Sequence, residues 1–387
     1  MKIGRILSFA GFFTLALTGA CWALDTESGH ALAGIADIRK YSCAIHIMAM
    51  LMVGFGFLMV FVKKYGRSAV TATYLLVSIA IPMYFLKDKM GFLGETSADI
   101  DSLILAEFAA ASLLICAGAV LGRLKMVQYL YLGILFVPAY SLCEWILCQG
   151  GLNLLPAKQF VDTGGSILIH AFGALFGLAA ILSLTTRKEF DTPVEADATS
   201  DRFSMVGSMV LWVFWPSFCS ALVAPEDAPK TAINVIMALC ASTLATYFAT
   251  IGLRKKISLA DIANAALAGG VAIGSTCDKV GPGTAFIIGL LGGALSTFGF
   301  AVIQPRLQGA LKKVDTCGVL YLHGLPGLLG GIAAIFVVDG IDAGVEVKGI
   351  VIAVVIALVT GFVAGKIVSF TGKRITAYDD EEEFVLD

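Results

Sequence analysis

Eleven transmembrane helices, set out as two five-helix halves of inverted topology plus a final helix, make up the all-α membrane protein that this sequence predicts. Three observations carry the prediction. Of 387 residues, 58% are apolar and only 14% charged, too few charges to coat a soluble globule of this size. Nearly uncharged runs recur along the whole chain, each close to the roughly 20 residues that cross about 30 Å of hydrocarbon. A pattern ending in histidine then occurs twice, once in the fifth run of each half.

The first apolar run differs from the others. Lys2 and Arg5 precede a short stretch from Ile6 to Leu17, and small residues follow up to Ala23, so residues 1–24 read as a signal peptide removed from the mature chain. Thr18-Gly19-Ala20-Cys21 faintly resembles a lipoprotein cleavage box, but the usual large aliphatic residue three positions before the cysteine is missing.

Spans are expected near 42–62, 69–86, 100–122, 126–147, 163–184, 203–224, 230–252, 258–276, 284–303, 316–338 and 345–368. This divides the chain into a first half at 25–185, a mixed-charge linker at 186–202, a second half at 203–340, an eleventh helix at 341–370 and a short acidic tail at 371–387. Lysine and arginine orient it: one set of loops and the C-terminal end hold 17 of them, the other set 8. The rich set reads as cytoplasmic, which puts the protein in a cell membrane with the mature N-terminus outside and the C-terminus inside. The tail run Asp379-Asp380-Glu381-Glu382-Glu383 is expected to be solvated and mobile.

Composition also narrows the chemistry. Among the nine cysteines, Cys43, Cys116, Cys143, Cys219, Cys240 and Cys317 lie in or beside apolar runs without metal-knuckle spacing, so they read as packing residues and imply no metal or cofactor. A formal net charge of −2 gives no reason to expect a nucleic-acid partner.

The fifth span opens Asp162-Thr163-Gly164-Gly165 and reaches His170, and the tenth opens Asp315-Thr316-Cys317-Gly318 and reaches His323, both reading D-T-x-G-x-x-x-x-H. Halves with an odd number of helices cross the membrane in opposite directions. Eight residues of helix span roughly 12 Å. With each aspartate near its own edge of a layer about 30 Å thick, both histidines fall near the midplane at one depth. Ionisable groups in lipid are costly, so the pair points to function. Asp162 and Asp315 read first as helix N-caps, with Asp162 also adding negative potential near a pore. His46 reads as a packing residue and His30 carries no functional signal. Glycine clusters at Gly289, Gly292, Gly293 and at Gly327, Gly330, Gly331 read as close helix packing.

The helix from Asp162 to Leu178, the run Asp315-Thr316-Cys317-Gly318 to His323-Gly324-Leu325-Pro326-Gly327, and Phe214-Trp215-Pro216-Ser217-Phe218 together resemble the Rhesus (Rh) branch of the ammonium transporter/Rh superfamily, over nearly all of the mature chain. The resemblance implies that superfamily's fold, a homotrimer with one pore per protomer, and conduction of ammonia at His170 and His323. It also implies a pair of stacked phenylalanines at Phe108 and Phe218, and vestibule carboxylates at Glu107 and Glu144. Departures from the Rh pattern are Cys219 after the second phenylalanine, where animal members often carry asparagine, a longer loop before Asp162 and the lack of an Asn-x-Ser/Thr site. The short tail shows no obvious counterpart of the segment that engages a regulatory partner in bacterial ammonium transporters. Taken with these departures, the resemblance implies a bacterial Rh-type channel, not an enzyme, that strips a proton from ammonium at the outer vestibule and passes neutral ammonia through an apolar pore. Carbon dioxide or another neutral gas is the near alternative. A haem-binding electron carrier held by the two histidines and a coupled solute carrier stand further off.

Overall fold

The computed structural model describes residues 34–191 and 194–385; the signal-peptide reading and His30 lie outside them. Eleven helices among the described residues are long and apolar enough to cross a membrane: α1 Gly34–Phe61, α2 Gly66–Lys89, α3 Asp99–Val120, α4 Met126–Gln149, α5 Ser166–Leu184, α6 Ala198–Ser220, α7 Ala228–Arg254, α8 Leu259–Thr276, α9 Pro282–Leu311, α10 Leu320–Val337 and α11 Ala343–Ser369. The chain is a multi-pass membrane protein. Burial separates core from shell: 89% of the most apolar window of α3 and of α5 is buried, against 28% in α11.

Small residues decide which helices touch. A Cβ added at Gly289 or Gly293 on α9 would lie 2.6 or 2.7 Å from the Cα of Ala238 or Ser242, so α7 and α9 pack backbone to backbone. Gly361 and Gly365 do the same for α11 against Phe176 and Ala180 of α5.

The two halves hold each other reciprocally. In the first copy of the repeat, Gly164 donates its N–H to the carbonyl of Gly274 (2.7 Å) on α8. Ser166 Oγ donates to the Val271 carbonyl (2.6 Å) and accepts from Ser275 N–H (2.8 Å). In the second copy, Thr316 and Cys317 donate their N–H groups to the carbonyls of Ala119 (3.2 Å) and Gly118 (3.1 Å) on α3. Thr316 Oγ1 donates to Leu121 O (2.8 Å). Each half thus threads its fifth helix onto the third helix of the other.

Four expectations need correction. α1 begins at Gly34, not near 42: Arg39 donates to the Ser220 and Val223 carbonyls at the end of α6 (2.7 and 2.9 Å), and Lys40 pairs with Asp101 (2.6 Å), so charges that marked a helix end are absorbed by neighbours. α9 continues past 303 to Leu311. α5 and α10 begin at Ser166 and Leu320, later than 163 and 316, because Gly165 and Gly318 take left-handed φ values of 73° and 68° that a helix cannot include. The tail is docked, not solvated. Asp380 accepts from the N–H groups of Arg67 (2.8 Å) and Ser68 (3.0 Å) at the start of α2, and Glu383 from Met126 N–H (3.0 Å) at the start of α4. Acidic side chains are favourable at helix N-termini, where free N–H groups and the positive dipole end coincide.

The linker is also fastened. A short helix at Arg187–Phe190 is capped through Glu189 to Thr186 N–H (2.6 Å), Asp197 caps α6, and Lys63 donates its N–H to Glu195 O (2.9 Å).

Candidate functional site

Both histidines sit in π-helical turns, Ser166–Ala171 and Leu320–Gly324. A π turn takes an extra residue and so re-aims the side chains it carries. The site thus follows from the glycine, the aspartate and the wide turn together. Asp162 accepts from the N–H groups of Ile167 (3.1 Å) and Leu168 (2.7 Å), and Asp315 from Val319 and Leu320 (3.0 Å each). Neither is a simple N-cap: each reaches past its glycine to free N–H groups of the first turn. Burial raises the pKa of Asp162, partly offset by the N–H of Leu168 and the Ser275 hydroxyl. Burial pushes Asp315 up to about 6 against the N–H groups of Leu320 and Val319.

The imidazoles meet. His170 Nδ1 lies 3.2 Å from His323 Nδ1, with ring centroids 5.3 Å apart and planes 8° from parallel, and both residues are buried (3% and 2% exposed). One hydrogen shared between two Nδ1 atoms makes one ring the donor and the other the acceptor. In the uncharged pair, one Nε2 is then a lone-pair acceptor and the other an N–H donor. Two imidazolium rings would put a hydrogen on both Nδ1 atoms and are incompatible with this contact. His170 Nε2 is buried and finds no partner among the described residues.

Aromatic rings continue the line. Phe108 and Phe218 pack 4.6 Å apart, and Phe218 lies 6.2 Å from His170. On the other side Phe55 lies 6.2 Å from His323, and Trp215 stacks on His170 at 5.5 Å and 22°. Trp215 and Phe55 were not among the expected site residues. Trp215 stands three positions before Phe218, one helical turn along the same face, and that spacing could have found it; Phe55 has no comparable signal.

Beyond His323 a cavity of about 20 Å³ is lined by Phe55, Leu114, Ile115, Asn264, Cys317 and His323 among others, room for one water-sized molecule. Phe61, Asn264 and Cys317 also line a wider cavity of about 530 Å³ that opens at the face bearing the linker.

The two further carboxylates are buried. Glu107 is fully buried, with neither oxygen hydrogen-bonded among the described residues. Glu144 is 7% exposed, accepts from Tyr84 Oη (2.5 Å) and stands 3.7 Å from Lys87 Nζ. His46 is held between α1 and α6 by Ser217 Oγ (2.9 Å) and Phe214.

Fold and site together define a polytopic helical membrane protein with a paired imidazole at its core, capped by aromatic rings on one side and open to a cavity on the other. The model of the Ammonium Transporter Family matches residues 24–387. The rabbit (Oryctolagus cuniculus) ammonium transporter Rh type B is 40% identical over 305 residues, covering 76% of this chain, which spans 64% of the length of that relative. Its human counterpart is 38% identical over 327 residues, covering 81% of this chain and 69% of its own. Among solved structures, Nitrosomonas europaea Rh50, described as a member of the Rhesus protein family of channels, superposes with a TM-score of 0.89 at 52% identity, over 91% of this chain and 93% of that one. Candida albicans Mep2 shares the fold at TM-score 0.71 and 17% identity, covering 87% and 83%. The chain belongs to the ammonium transporter family, on its Rh-type branch.

Proposed function

We propose that this protein is a channel for ammonia, with ammonium shedding a proton at the mouth on the Asp162 side and neutral ammonia passing Phe108, Phe218, His170 and His323. The observation that carries the reading is the buried Nδ1–Nδ1 pair, which leaves one acceptor and one donor nitrogen among aromatic and aliphatic side chains. Ammonia offers three donors and one acceptor, and such a pair can serve both. A bare cation faces a desolvation penalty of order 20 kcal/mol in the idealised limit. Potassium has no proton to leave behind and is excluded.

In this reading the Asp162 mouth is external, as the excess of basic residues at the opposite face supports. Asp162 lends negative potential at that mouth, Glu144 and Glu107 are the vestibule acids that the resemblance supports, and Asp315 orients α10. A homotrimer with one pore per protomer is part of the proposal and rests on the resemblance. The test is stopped-flow recording of internal pH in proteoliposomes after an ammonium gradient, with a carbon dioxide pulse in parallel. A protein-dependent ammonia signal that His170→Ala and His323→Ala diminish is the expected result. A carbon dioxide response without an ammonia one would replace the reading with a gas channel.

A further inference from the structure

The cavity of about 530 Å³ at the linker face is far larger than a path for ammonia needs, since one water-sized molecule takes roughly 10–15 Å³ on the same measure. Its walls come from separate parts of the chain: Phe61 at the end of α1, Phe190 and Val194 of the linker, Asp201 and Ser204 at the start of α6, Asn264 on α8, and Phe300 and Gln304 on α9. Three phenylalanines and a valine make this an apolar chamber with a few polar groups, the composition of small-molecule sites, which run about 300–1,000 Å³.

Three of the polar side chains keep acceptors unspent, while Ser204, Gln308 and Thr316 donate to the carbonyls of Leu58, Asp315 and Leu121. Among the described residues the Asp201 carboxylate makes no hydrogen bond or ion pair, its backbone N–H alone being used, toward Asp197 O. The Gln304 carboxamide has no partner either, and Asn264 uses only its NH₂ group, toward Ala260 O (2.9 Å). The cationic wall residue is already matched: Arg254 gives Nε and Nη2 to Asp261 at 2.7 and 3.0 Å. Asp315 spends its carboxylate on α10. A charged acceptor, two amide oxygens and aromatic walls suit a cation that carries hydrogen-bond donors and an apolar body, since aromatic faces also attract ammonium groups.

We propose that this chamber is a binding site for an organic ammonium ion with an apolar body, its head on Asp201, Gln304 and Asn264 and its body against Phe61, Phe190 and Phe300. Phe61 and Asn264 also line the small cavity next to His323, so an occupant lies across the way out and closes the pore from this face. Binding itself stands without the ammonia reading; only the closure of flux rests on it.

The probe is 2-phenylethylammonium. Isothermal titration to the detergent-solubilised full chain is expected to show saturable binding, weakened at least tenfold by Asp201→Asn and by Gln304→Leu, with benzyl alcohol, which lacks the charge, binding more weakly still. In proteoliposomes the same compound is expected to block ammonia flux when applied at the linker face only, with the block relieved in both variants. Absence of saturable binding, or binding that neither variant weakens, overturns the site. Binding with the expected variant pattern but no effect on a working ammonia flux overturns the closure. If the liposomes show no ammonia flux at all, the titration still decides the site while the conduction reading falls.

Discussion

The two copies of D-T-x-G-x-x-x-x-H share a backbone and differ in what surrounds them. On the His170 side the loop is tied by side-chain bonds, Ser275 Oγ donating to Asp162 (2.7 Å), Ser166 Oγ to Val271 O and, separately, Thr163 Oγ1 to Asp278 (2.7 Å), and Trp215 and Phe218 press on the ring. Around His323 the loop is held mainly by backbone bonds to the end of α3, and the ring faces a small cavity. Duplication supplied one way to hold an imidazole at the centre of a membrane. The surroundings then made one end closed and aromatic and the other open.

The largest effect should come from breaking the pair. His170→Ala leaves the His323 ring without its partner, and an unmade buried hydrogen bond costs about 1–3 kcal/mol; ammonia flux is expected to fall up to roughly 100-fold. His323→Ala should fall less, because its own ring borders a cavity that water can fill. Stopped-flow rates for both variants check the order, and equal losses would mean that the difference in surroundings is functionally silent.

Next come the glycines. Alanine at Gly165 or Gly318 must adopt a left-handed conformation, at a cost of about 1–2 kcal/mol, visible as a lowered melting temperature in detergent. The Gly165 Cβ would also lie 2.9 Å from Ile169 Cβ, within the turn that carries His170, whereas the Gly318 Cβ would meet the Phe300 ring on α9 (3.0 Å to Cζ). Only Gly165→Ala is expected to lower flux per folded molecule as well.

A smaller effect separates the aspartates by pH. The pKa of Asp315 in the folded chain, about 6, lies above the usual aspartate value of 3.8. The native state therefore holds the proton more tightly, so this stabilisation is full below pH ~4 and is lost as pH rises through 6. From pH 5 to pH 7.5 the loss is about 1.4 kcal/mol. Asp315→Asn keeps an acceptor for only one of the Val319 and Leu320 N–H groups, removes the titrating group, and should flatten that part of the pH dependence of melting. A slope identical to wild type would show that Asp315 does not titrate there.

The smallest is at the tail. Asp380→Ala removes the acceptor for two N–H groups of α2, worth about 1 kcal/mol, and should open residues 373–385 to limited proteolysis without changing flux.

Much of the fold and of the site was legible in the sequence, for identifiable reasons. Charge-poor runs mark spans wherever lipid is the solvent, and the repeat pairs His170 with His323 because one spacing applied from opposite sides converges on one depth. Less legible was whatever depends on a distant partner. Arg39 and Lys40 looked like the end of a helix until α6 and α3 supplied carbonyls and a carboxylate. Asp162 and Asp315 looked like ordinary caps, since nothing local announces a left-handed glycine followed by a π turn. The run at Asp379–Glu383 has the composition of a solvated tail, and only the positions of the α2 and α4 starts make it a set of caps.

The docked tail also bears on how the protein is made. The N–H groups that open α2 and α4 belong to residues 67, 68 and 126, while the carboxylates that satisfy them sit at 380 and 383. A ribosome finishes those helices long before it reaches their caps. The first half is thus inserted before these caps exist, and the two helix starts are satisfied only once residues 380 and 383 have been made.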